Sequence, residues 1–110
     1  MSEISEIEDK LKYADFLINH DPPYSEAAVK QLLRAANKLV HIYLKLPSYA
    51  SVSPILASQK LSTGNDVEKK FSEDFLKLWK LSIKPFVTKE EALNVYKAVK
   101  AFLDYYKAQR

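Results

Sequence analysis

A single glycine, Gly64, stands in the 110 residues of this chain, and the few β-branched residues do not alternate with polar ones. Strands have little support in such a sequence, whereas residues recurring at steps of three and four support long helices. The pattern predicts an all-α protein. At this length one domain, spanning 1–110, can bury a single core without staples. There is no cysteine, so disulfides, thiolate metal sites and thiol nucleophiles are excluded, which fits a reducing compartment. The beginning, MSEISEIEDK, is acidic and lacks the apolar run of a signal peptide, and no stretch approaches the roughly 18 apolar residues of a membrane span. A cytoplasmic protein that does not enter a membrane is the expectation.

Four long helices follow from the periodicity. The first runs from Glu3 to Ile18, with Ser5 and Glu8 at capping-box spacing and Ile4, Ile7, Leu11, Ala14 and Leu17 on one stripe. In "HDPPYSEAA" Asp21 is placed to cap a second helix and Pro22 to take its first position, since proline has no N–H to leave unpaired there. That helix is expected to reach Leu46, and Ala28, Leu32, Ala35 and Leu39 with flanking Val29, Ala36 and Val40 make over half its girth apolar. It should be the central helix of the core. Ser53 followed by Pro54 starts a short helix, "PILASQKL". A third long helix opens at Asp66, with Val67, Phe71, Phe75 and Leu78 inward and Leu76, Trp79 and Ile83 adjacent, and stops before Pro85. The last opens at Thr88, where Glu91 completes a capping box, and turns Ala92, Tyr96, Val99, Leu103 and Tyr106 inward. The architecture expected is an antiparallel up-and-down four-helix bundle with a short extra helix in the long connection.

Charge is unevenly spread. Residues 1–26 carry Lys10 and Lys12 against seven acids, a net −5, while residues 27–65 carry Lys30, Arg34, Lys38, Lys45 and Lys60 against none, a net +5. The middle third is where a polyanion would be attracted. Of the seventeen basic residues fifteen are lysine, a Lys/Glu bias compatible with a thermophilic source.

Within "RAANKLVH" the residues Arg34, Asn37 and His41 share a stripe with Lys30 and Lys45, opposite the apolar line of the same helix. A guanidinium binds phosphate oxygens in a fork and an imidazole titrates near neutrality, so the pair has the equipment of a metal-independent ribonuclease. A central helix must also turn one side to water, and that side collects the same residue types. Spacing does not separate the two.

The succession "KYADFLINHDPPYSEAAVKQLLRAANKLVHIYLKL", a short helix, "FLKLWKLS" and "TKEEALNVYKAVKAFLDYYKAQ" resembles the HEPN family of small prokaryotic helical domains. The resemblance implies a compact helical homodimer, often paired with a minimal nucleotidyltransferase. Some members look like toxins of toxin–antitoxin pairs that cleave RNA without metal through an R-x(4 to 6)-H motif, and others lack the motif and bind nucleotides or partners. Arg34 to His41 satisfies that spacing but lies earlier in the chain than the family's motif, and "LKLWKLSIKPFVTKEEA", where the motif is expected, has neither Arg nor His. The expected function is therefore a non-catalytic binding module for a nucleotidyltransferase-like partner, a nucleotide or RNA, with Lys30, Lys38, Lys45 and the loop residue Tyr49 as contacts. The alternatives are a ribonuclease using Arg34 and His41 with Asn37 in support, and a purely structural interaction protein.

Other candidates are weaker. His20 suits the negative end of the first helix, and two histidines so far apart, with Asp21 the nearest acid, make no recognisable metal set. No metal and no cofactor are expected, there being no phosphate-cradling glycine loop. Lys77, Lys80 and Lys84, like Lys97 and Lys100, have the spacing of a solvated face. Most of the aromatic residues fall on inward stripes, with Tyr24, Tyr49 and Tyr105 less clearly internal.

Overall fold

The apolar stripes fold as the periodicity requires. In the computed structural model, which describes residues 3–47 and 53–109, five helices follow one another: α1 (Glu3–Ile18), α2 (Ser25–Tyr43), α3 (Pro54–Ser62), α4 (Asp66–Ser82) and α5 (Lys89–Ala108). The described residues hold no strand, and no helix among them is long and apolar enough to cross a membrane. Tyr49 lies outside the described residues.

Ala28, Val29, Leu32, Ala35, Ala36, Leu39 and Val40 are all fully buried, and α2 packs against α1, α4 and α5. It is the central helix. Its small residues let the neighbouring helices approach closely, and the larger side chains of one continuous core, among them Ile7, Ile18, Phe75, Leu78, Phe102 and Leu103, fill the space around it. α3 packs on α4.

Local chemistry sets the boundaries. Ser53 caps α3, its hydroxyl accepting the Leu56 N–H at 3.0 Å, with Pro54 in the first turn. α4 starts with a reciprocal box between Asn65 and Glu68, and α5 with one between Thr88 and Glu91. α1 is already helical at Glu3, so Ser5 lies inside its first turn and is not its cap.

Other sequence expectations also fail at element ends. α2 starts at Ser25 with Tyr24 as its cap residue, not at Pro22 after Asp21. Pro22 is itself followed by Pro23, and a residue before proline is kept out of the helical region. The intervening turn contains a cis Asp21–Pro22 bond and is tied back by the Tyr24 N–H on the Leu17 carbonyl at 2.9 Å. At its other end α2 stops at Tyr43, short of Leu46, because Lys45 adopts φ 56° and reverses the chain. Val67, expected on the inward face of α4, and Ile83, expected beside that face, are 40% and 68% exposed. Val67 faces the small side chains of Ala98 and Ala101 across a shallow groove, and Ile83 lies past the last turn of α4.

Candidate functional site

The reversal at Lys45 shapes the site. The Lys45 N–H bonds to the Ile42 carbonyl at 3.3 Å and the Leu46 N–H to the His41 carbonyl at 2.9 Å, the paired bonds of a Schellman ending. This ending turns Lys45 and Leu46 toward the beginning of α1 and the last turns of α5. A cleft of about 600 Å³ opens there, lined by Glu3, Asn37, Lys38, His41, Ile42, Lys45, Leu46 and Tyr106.

Four of the residues singled out in the sequence meet in this cleft: Asn37, Lys38, His41 and Lys45. Arg34 and Lys30 do not line it; both are exposed further toward the start of α2. The boundary falls within the helix turn between Arg34 and Lys38, so the pair Arg34 and His41 is not brought together on one cavity within the chain.

Each member is held by its neighbours. His41 is half-buried, and its Nδ1–H donates to the Asn37 carbonyl at 2.9 Å, since a carbonyl can only accept. The bond fixes which ring nitrogen carries that proton and lays the ring along α2. The Lys38 ammonium pairs with Glu6 across the α1–α2 contact and holds the Glu6 carboxyl below its ordinary value. Asn37 contributes the one buried side-chain polar atom among the described residues that lacks a hydrogen-bond partner, its Oδ1. An acceptor left so is worth about 1–3 kcal/mol of lost solvation.

The wall behind Tyr106 is a packed aromatic cluster. Tyr43 lies 6.0 Å from Tyr106 and 4.8 Å from Phe102 between ring centres, and Phe102 stacks on Phe71 at 4.1 Å. The Tyr43 hydroxyl donates to Glu68 at 2.7 Å; burial first, and this carboxylate second, hold its pKa above the ordinary value. The other Glu68 oxygen accepts the Asn65 N–H at 2.8 Å, and the Asn65 amide donates to the Tyr105 hydroxyl at 2.8 Å. One network therefore ties the end of α2 to the start of α4 and to α5.

Glu3, Ile42, Leu46 and Tyr106 line the cleft without standing out as contacts in the sequence. Tyr106 carries a signal, its position on an inward stripe, whereas nothing local marks Glu3. Chemically the cleft offers ammonium groups at Lys45 and Lys38, the imidazole of His41, a carboxylate acceptor at Glu3, and apolar surface at Ile42, Leu46 and Tyr106. Among the described residues no group of three or more His, Cys, Asp or Glu side chains is gathered to hold a metal ion. No family model, no curated protein and no solved structure matches the chain.

Proposed function

We propose that the chain is a HEPN-like antiparallel four-helix bundle, with α3 in its long connection, that works as a non-catalytic binding module for a nucleotide or an RNA end presented to it, alone or by a nucleotidyltransferase-like partner. The observation that supports this reading is the convergence of Asn37, Lys38, His41 and Lys45 on one cleft. Cations near the end of α2 are favoured by the helix dipole whatever the protein binds, so their charge alone carries little. Their grouping with an unsatisfied amide and an apolar wall carries more. The volume of about 600 Å³ lies within the roughly 300–1,000 Å³ of ordinary ligand sites. A phosphate suits Lys45 and the His41 side of the cleft, and hydroxyl or amino groups suit Glu3.

The ribonuclease alternative needs a guanidinium and an imidazole on one phosphate, and Arg34 lies outside the cleft that His41 lines. The module reading is therefore preferred.

The test is an amide-resonance titration at low salt with adenosine 5′-monophosphate and with a short single-stranded RNA. Shifts confined to the cleft are expected, lost in Lys45→Glu, retained in Lys30→Glu, and weakened steeply by salt as phosphate contacts require. Absence of any shift, or equal loss in both variants, overturns the reading. Incubating labelled RNA with the protein in EDTA is expected to leave it intact, and cleavage abolished by His41→Ala would establish the ribonuclease instead.

A further inference from the structure

The connection between α4 and α5 exposes what a surface turn normally hides. Ile83 and Phe86 are 68% and 80% exposed, the two most exposed large apolar side chains among the described residues. Local chemistry fixes them there. Pro85 ends α4 by keeping Lys84 out of the helical region, and the Ile83 and Lys84 N–H groups close the last turn on the Lys80 and Leu81 carbonyls. Val87 is buried in the core next to Phe86, the Lys84 ammonium is tied to Glu91 at 2.8 Å, and Thr88 and Glu91 cap α5. The turn is therefore held from both sides, and Phe86 projects from it. Along α4, Ile83 continues outward the flank of the half-buried Leu76 and Trp79, at steps of three and four.

The same stretch is basic. From Phe75 to Lys89 it carries Lys77, Lys80, Lys84 and Lys89 and no acid, and all of these lysines are exposed. Glu90 and Glu91 follow, the second already committed to Lys84 and to the Thr88 N–H, so residues 75–91, with four lysines against two acids, keep a net +2. Lysines at helical spacing ordinarily mark a solvated face, but a solvated face does not carry an isoleucine and a phenylalanine at its apex. Tyr13 and Phe16 on α1 are exposed as well, but in a segment, residues 1–26, of net charge −5. The turn also stands far from the cleft. The Tyr43 bond to Glu68 and the Glu8 pair with Lys107 gather the end of α2, the start of α4, the end of α5 and the beginning of α1 there, and α4, a helix of 17 residues, carries the chain about 25 Å away.

We propose that the α4–α5 turn docks on the surface of an anionic phospholipid bilayer, with Phe86 and Ile83 entering the boundary between headgroups and acyl chains and Lys80, Lys84 and Lys89 lying among the anionic headgroups. Apolar side chains at the apex with lysines behind them match the layering of such a surface, where apolar matter lies beneath a negatively charged shell. Lysine stems are long enough to lie along the apolar layer while their ammonium groups stay at the headgroups. No helix has to cross the bilayer. A nucleic acid would use the lysines and stack a base on Phe86, but it leaves the aliphatic Ile83 without a partner, so it is the poorer fit. Asp21 and Glu26, on the α1–α2 turn at the same end of the bundle, are repelled by the surface and tilt the contact toward the α4–α5 side. Two inserted side chains and a few lysines make a reversible anchor, and the cleft at the other end stays in water.

Co-sedimentation of the full chain with vesicles tests this, comparing mixed phosphatidylserine and phosphatidylcholine with phosphatidylcholine alone, for the wild type, Phe86→Ser, Lys80→Gln and Phe16→Ser. All three substitutions are at exposed positions, and unchanged circular dichroism verifies the fold of each. The wild type is expected to partition onto the anionic vesicles about tenfold or more better than onto the neutral ones. Phe86→Ser is expected to lower that partitioning about tenfold, Lys80→Gln about fivefold, and Phe16→Ser to leave it unchanged. Because the chain has no cysteine, a polarity-sensitive dye on Ile83→Cys reports the turn alone and the same dye on Phe16→Cys reports α1. The first is expected to shift to shorter wavelength on anionic vesicles and the second to stay as it is. A wild type that ignores both kinds of vesicle overturns the proposal and leaves Phe86 to a protein partner. Binding that Phe86→Ser retains in full overturns it in favour of lysines that attract any polyanion, RNA included. A shift at Phe16 without one at Ile83 overturns it by placing α1 on the lipid.

Discussion

Lys45 occupies a conformation that costs a lysine energy. Its φ of 56° belongs to the left-handed region, which a side chain with a Cβ enters at about 1 kcal/mol or more, and which glycine ordinarily fills after a helix. Lys45→Gly is expected to raise stability in urea by about 0.5–1 kcal/mol after allowing for the greater freedom of an unfolded glycine, while weakening nucleotide binding in the cleft. A loss of stability would mean that the lysine makes a contact worth more than its strain. Gly64 shows the reverse logic. It does not have a positive φ; it is required because an added Cβ would overlap the Glu68 carboxylate. That carboxylate is committed to the Asn65 N–H and to Tyr43, so it cannot swing aside without undoing the cap of α4. Gly64→Ala is accordingly expected to cost about 1–2 kcal/mol, measured by urea unfolding, where the same change at an unencumbered turn would be nearly neutral.

At the level of elements, what the sequence makes legible is whatever depends on near neighbours. The cap of α5 is local: the Thr88 hydroxyl accepts the Glu91 N–H at 3.1 Å and the Glu91 carboxylate accepts the Thr88 N–H at 3.0 Å. Thr88→Ala is expected to lower stability by about 1 kcal/mol, seen as a lower urea midpoint with an unchanged slope. The Ser53–Pro54 start and the buried line of α2 are equally legible, since each is a short-range spacing. The box at Asn65 and Glu68 has the same spacing as the one at Thr88, yet the acids at Asp66 and Glu68 mark the helix start without revealing that Glu68 also closes the cap. The failures share a different cause. Asp21–Pro22 has the form of a helix start, but the next proline vetoes it. Val67 and Ile83 are apolar enough for a core, yet whether an end residue is covered depends on which element lies opposite. Tyr13 and Phe16 stay hidden because one apolar stripe accounts for the burial of α1, leaving its other side to be taken as polar. The stripe of α2 is legible as a set of positions, but its division between Arg34 and the cleft depends on where Glu3 and Tyr106 arrive from distant parts of the chain.

For the whole molecule, the cleft depends on how the beginning of α1, which supplies Glu3, is held on the helices beside it. α1 buries one stripe against α2 and α5 and is fastened at its start by two ion pairs, Glu6 with Lys38 and Glu8 with Lys107, the latter at 3.0 Å. The Glu6 carboxyl titrates below its ordinary value of 4.5 because of the Lys38 hydrogen bond and charge, and Glu91 likewise because of Lys84 and the cap at Thr88. A carboxyl whose folded pKa is depressed contributes stability above its unfolded value, and that contribution disappears as the pH falls through the lower, folded value. Acidification below about 4.5 should therefore loosen the beginning of α1 and the start of α5 before the core. These groups are exposed, so the effect is local rather than a collapse of the fold. Hydrogen exchange at about pH 6 and about pH 3.5, corrected for the intrinsic pH dependence of exchange, is expected to show protection falling most in the first turns of α1 while the α2 amides from Leu32 to Leu39 keep theirs. Because Glu3 walls the cleft and Lys38 is freed when Glu6 is protonated, the same pH change should alter nucleotide binding without unfolding the site on α2. Uniform loss of protection across α1 and α2 would mean instead that the two helices open as one unit, and that the ion pairs at the start of α1 do not set the stability of the cleft.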